Sequence, residues 1–136
     1  MKLFLQIRVG DWRQFGYLQP WLRFASALAD DVVGAEMDSG SEAAVAELVL
    51  PLCEQAHSIF VLVEAVPGAP LGSALPIFHQ LFTWPHKVAR VVLRGENAMA
   101  TKMLAAWQDK LSNNVDEGEL RERIRAFAVD QLKPGR

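Results

Sequence analysis

One cysteine, Cys53, stands in 136 residues, so no disulfide can close within the chain and no set of several thiolates can hold zinc. This predicts a reducing compartment, the cytoplasm, and for Cys53 itself the role of a small core residue. Long apolar runs are missing as well: nothing approaches the roughly 18 to 20 residues that a membrane-spanning helix requires. In the opening MKLFLQIRVG, Gln6 and Arg8 interrupt the apolar stretch and no small-residue cleavage site follows, so it reads as a strand and not as a secretory leader. A basic excess is also absent. Lysine and arginine number 14 against 16 acidic residues, a net charge of -2, which gives no general attraction to nucleic acid.

The three histidines form no metal pattern. No carboxylate stands three or four residues from His79 or His86, and Glu54, three before His57, reads as part of a solvated helix face. No metal is expected. Gly68 and Gly72 belong to neither GxGxxG nor GxxxxGK[ST], so neither dinucleotide nor P-loop binding is supported and no cofactor is expected.

What is present is apolar residue in quantity, 51% of the chain, enough for the core of one domain over residues 1–136. The run Ser58 to Val66, SIFVLVEAV, is short, β-branched and closed by Pro67-Gly68. Such a run predicts a strand buried on both faces, with helices on either side. Lys2 to Val9 alternates, with Leu3, Leu5, Ile7 and Val9 on one face and Lys2, Gln6 and Arg8 on a wetter one, which predicts a first strand near an edge or bordering a cleft. Asp31 to Met37 is a weak second strand around Gly34. Val88 to Leu93 is another, and the shared face of Arg90 and Arg94 predicts an edge position for it.

Helices fill the intervals. Phe15, Leu18, Trp21, Leu22, Ala25 and Leu28 recur at helical spacing, with Pro20 in the first turn. Ser39 and Glu42 stand at capping-box spacing before Val45, Leu48, Val49, Leu52 and Ala56, and Pro51 predicts a kink. Ser73 to Trp84 is short and very apolar. Asn97 to Leu111 carries the stripe Met99, Met103, Ala106, Trp107, Leu111. The last helix has the clearest signals: Asp116 as cap, Glu119 at the capping-box position, and Val115 with Leu120 at staple spacing.

Alternation of this kind predicts an α/β fold: a small three-layer domain with a mainly parallel three- or four-stranded sheet in the flavodoxin-like order 2-1-3-4, and a C-terminal helix pair. In topology it resembles the nucleoside deoxyribosyltransferase-like and TIR-like domains, small parallel sheets whose catalytic glutamate lies on the helix after the third strand. Here that helix reads GSALPIFHQL. It has no glutamate, which argues against N-glycosidase chemistry.

Ligands of open parallel sheets bind beyond the carboxyl ends of the strands, where the strand order reverses. This nominates Asp11, Trp12, Arg13, Asp38, Ser39, Glu64, Arg94 and Glu96 as a candidate cleft. Glu64 is the most telling of these, because a carboxylate at the end of a buried strand must be paired, hydrogen-bonded or protonated. Arg8 and Arg94 on neighbouring strands are the expected partners, and a general acid or base is the alternative. The apolar helix 73–84 and the expected edge strand point instead to a protein partner or a homodimer, with Phe82, Trp84 and Arg90 as its interface. No catalytic motif names a reaction. The first expectation is therefore an interaction or self-associating module without catalysis, and the alternative is a small-molecule or nucleotide-binding domain, with an enzyme among its forms, that uses the cleft.

Overall fold

The computed structural model of the chain describes residues 1–10 and 21–129. Five strands, β1 (Lys2–Val9), β2 (Val32–Asp38), β3 (Ser58–Ala65), β4 (Val88–Gly95) and β5 (Leu111–Asn113), form one sheet in the order β2-β1-β3-β4-β5. Every pairing is parallel. The expected class and the order 2-1-3-4 are both present, with a fifth strand added beyond β4.

Five helices cover the two faces: α1 (Trp21–Leu28), α2 (Ala43–Gln55), α3 (Leu75–Phe82), α4 (Ala98–Leu104) and α5 (Glu117–Val129). Alternation along each strand sorts side chains between two cores. Leu3, Leu5, Ile7, Ile59, Val61, Val63, Val91 and Leu93 pack on α2, α3 and α4 through Val49, Cys53, Ile77, Phe78, Leu81 and Leu104. Phe4, Phe60, Leu62 and Val92 pack on α1 and α5 through Trp21, Ala25, Leu120, Ile124 and Phe127. The crossover through α1 on one face and those through α2, α3 and α4 on the other, with α5 returning to the first, build these three layers.

The details correct several expectations. β1 is interior, flanked by β2 and β3, and its polar residues Lys2 and Gln6 are buried. The Lys2 ammonium is satisfied by the carbonyl of Ala128 at 2.9 Å, so the wet-looking face is covered by α5. β4 is not an edge, because Val91, Val92 and Leu93 pair with Leu111, Ser112 and Asn113 of β5. Leu111 thus leaves the helical stripe in which it was expected; α4 ends at Leu104, and Met99, expected to face inward, is exposed. The C-terminal helices are not a packed pair, since α4 contributes to one core and α5 to the other.

Local chemistry explains the helix ends. Asp116 caps α5 as expected, its Oδ1 accepting from the Glu119 amide at 2.7 Å. α4 starts at Asn97, whose Oδ1 accepts from the Ala100 amide at 3.0 Å. α2 departs from the expected capping box of Ser39 and Glu42: its N-cap is Glu42, which makes no side-chain cap, while the Ser39 hydroxyl bonds to the Gly10 backbone. Gly34 lets α1 approach β2, where a Cβ would stand 3.0 Å from Leu22 Cγ. Gly95 ends β4 at φ +90°, a conformation costly for L side chains.

Candidate functional site

The carboxyl ends of the strands carry several hollows, of which two neighbours are lined by Asp38 and Ser39 and by Glu64 and Arg94. The larger, about 820 Å³, lies over β1, β2 and β3 and is lined by Gly10, the turn Asp38–Glu42 and the loop Val66–Pro70. Its floor is built by short polar contacts. Ser39 Oγ accepts from the Gly10 amide at 3.0 Å, tying the end of β2 to the end of β1. Asp38 Oδ1 accepts from the Gly40 amide at 2.8 Å and from Ser41 Oγ at 3.4 Å. The Ser73 hydroxyl donates to the Ser41 carbonyl. The opposite wall is fixed by the buried Asn97, whose Nδ2 donates to the carbonyls of Val66 at 2.9 Å and Ala69 at 2.8 Å. One asparagine therefore caps α4 and pins the loop. Two carboxylates, Asp38 and Glu42, and two hydroxyls line this cleft, and its described lining holds no cationic side chain.

The second hollow, about 410 Å³, opens between β3, β4 and the turn leading into α5, and is lined by Glu64, Ala65, Val66, Arg94, Gly95, Asn114 and Val115. Beneath it runs a polar row on the α1 and α5 face. Register places Arg8 beside Glu64 and Glu64 beside Arg94. Glu64 is 5% exposed; its Oε1 accepts from Gln6 Nε2 at 2.5 Å and lies 3.6 Å from Arg8 Nε. Arg8 also reaches Glu36, at 3.5 Å. Arg94 makes no ion pair among the described residues, and its Nη1, Trp21 Nε1 and Gln6 Oε1 are buried atoms without a hydrogen-bond partner. Three such atoms in one row are noteworthy because buried polar groups are nearly always satisfied.

The eight residues nominated from the sequence are thus divided. Asp38 and Ser39 line the first hollow, Glu64 and Arg94 the second, and the exposed Glu96 borders a further depression beside Asn97 and Lys102. Asp11, Trp12 and Arg13 lie outside the described residues. Glu64 sits in an ion pair with Arg8, one of its two expected partners, and not with Arg94. Sequence reasoning missed Gln6, Trp21 and Asn97. An asparagine directly before a helical stripe was a usable capping signal for Asn97; a lone glutamine on a strand carries none.

The nominated interface residues are largely engaged within the chain. The Phe82 ring stacks on Trp107 with centroids 4.6 Å apart, and the half-buried Trp84 lies under the Lys87 ammonium at 4.8 Å. Arg90 is exposed beside α5. Burial pushes the Cys53 thiol up to about 11, which keeps it protonated and unreactive. Among the described residues, no cluster of His, Cys, Asp and Glu is suited to a metal ion, and no helix is long and apolar enough to cross a membrane. No family model, curated protein or solved structure matches the chain, so the two hollows at the carboxyl rim of the sheet are the ground for any assignment.

Proposed function

We propose that the protein is a small-molecule-binding domain whose ligand occupies the cleft over the carboxyl ends of β1, β2 and β3. The observation that carries this reading is the place of the cleft: about 820 Å³ of space at the point where the strand order reverses, walled by a loop that Asn97 pins. That is where open parallel sheets bind ligands. The lining favours a neutral or cationic compound rich in hydrogen-bond donors, because Asp38, Glu42 and the two serines offer acceptors and no described cation stands ready for a phosphate.

A protein-binding or self-associating module has less support. Phe82 is stacked, Trp84 is half covered and β5 shields β4, which leaves little apolar area for a partner there. A dimer mass in light scattering, lost in Trp84→Ala, would reinstate that module.

Thermal unfolding in the presence of sugars, nucleosides and amines tests the cleft. One class is expected to raise the midpoint, and Asp38→Ala and Ser39→Ala are each expected to remove the effect while leaving a cooperative fold. Stabilisation that survives both substitutions would place the ligand elsewhere.

A further inference from the structure

The unpaired Arg94 poses a separate question, independent of the cleft. Across the α1 and α5 face the charges run Glu36, Arg8, Glu64, Arg94, and the two carboxylates are accounted for: Glu36 and Glu64 both flank Arg8, and Gln6 donates to Glu64. Arg94 is left over. Its guanidinium carbon lies 5.9 Å from the ring centroid of Trp21, and that of Arg121 on α5 lies 5.6 Å from the same ring. Two like charges thus share one indole. Arg121 pairs with Glu117, at 3.7 Å, in a solvent-exposed contact that is worth little. Among the described residues, two donors in this stack, Arg94 Nη1 and Trp21 Nε1, are shielded from water and find no acceptor. A half-satisfied network of this kind costs more than an apolar core in its place.

A water molecule could satisfy one donor but not the charge. An anion satisfies both, and beside an aromatic face a guanidinium binds a carboxylate or phosphate through its planar fork. We infer that Arg94, backed by the Trp21 ring and Arg121, receives a single anionic group, a carboxylate or a phosphate, on a small molecule entering the hollow of about 410 Å³, which Arg94 alone of the three lines. Glu64 at the edge of that hollow limits the guest to one such group, because a second negative charge would face its carboxylate.

The test is thermal unfolding of the full chain in sodium phosphate, sodium acetate and sodium chloride at matched ionic strength. The midpoint is expected to rise in phosphate or acetate beyond its value in chloride, and whichever salt acts identifies the anion. Arg94→Met is expected to abolish this response and to start from a higher midpoint in chloride, since the orphaned guanidinium is gone. Arg94→Lys, which keeps the charge but loses the fork, and Trp21→Phe, which keeps the ring but loses its donor, should each weaken half-saturation several-fold. Arg90→Met on the same strand should behave as wild type. Equal midpoints in all three salts, or an anion response retained in Arg94→Met, would overturn the assignment.

Discussion

The two faces of the sheet are made by the same strands and have opposite characters. Toward α2, α3 and α4, Leu3, Leu5, Ile7, Ile59, Val61, Val63, Val91 and Leu93 are apolar from one end of the strands to the other. Toward α1 and α5 the amino half is mainly apolar, with Phe4 stacked on Phe60 at 5.4 Å and Phe60 edge-on to Phe127 at 5.5 Å, although Lys2 is buried there under α5 and Arg90 is exposed beside it. The carboxyl half of that face instead carries Gln6, Arg8, Glu64 and Arg94. The first face supplies stability at every position. The second gives up part of its apolar area for polarity, and its row of four polar residues lies where the sheet meets the hollows, a pattern expected of a site rather than of a scaffold.

Substitutions can break this contrast. The largest effect should come from ending the chain after Ser112, which removes α5 and uncovers Phe60, Leu62 and Val92; loss of a cooperative unfolding transition is expected. A soluble, cooperatively folding product would mean that the α5 face is dispensable. Within the intact chain, Phe60→Ala should cost about 3 to 5 kcal/mol and Val61→Ala about 1 to 3 kcal/mol in chemical denaturation. If the Phe60 cost fell below that of Val61, the apolar half of the second face would not be a true core.

The polar half should respond differently. Glu64→Leu alone takes the acceptor from Gln6 and the buried partner from Arg8, which keeps Glu36, with an expected cost on the order of 3 kcal/mol. Adding Arg8→Met should recover most of that loss, because a pair replaced together leaves no uncompensated charge. Additive losses would show that the row is held by packing and not by charge. Asn97→Ala should cost about 1 kcal/mol as a lost helix cap and should loosen the loop Val66–Pro70, read as faster amide exchange there than in wild type.

The smallest effect concerns Cys53. Burial raises its thiol from 9.0 to about 11 in the folded chain, so between these values the unfolded chain loses its proton first. The resulting contribution to stability is complete below pH 9 and disappears as the pH rises through 11. Cys53→Ala should therefore lose less stability than wild type over that interval, and an identical alkaline slope would mean that the thiol is not held neutral by burial.

Much of the scaffold was legible because its signals were redundant. In α5 the cap at Asp116, the staple of Val115 with Leu120 and the stripe through Phe127 all agreed, and β3 announced itself as a buried run. β5 was not legible, because three residues are too few to display a period of two, and Leu111 sat at a helical spacing from Trp107 by coincidence. Lys2 and Gln6 misled for a physical reason: polarity on a strand implies water until a partner from far along the chain, Ala128 or Glu64, is known. The site was legible only in outline. The sequence indicated that Glu64 needs a partner, but the division into two hollows depends on where the loops at Asp38, Val66 and Asn114 come to rest.

The buried hydrogen bond from Lys2 to Ala128 spans 126 positions, and it bears on the order in which the molecule is assembled. β1 precedes the other four strands and lies inside the sheet, yet it has no neighbour on one side until β3 arrives, and its lysine lacks the Ala128 carbonyl until the far end of α5 docks. Contacts this remote in sequence close slowly. Synthesis should therefore pass through a stage in which five paired strands, covered on that face by α1 alone, leave Phe60, Leu62 and Val92 exposed until α5 docks.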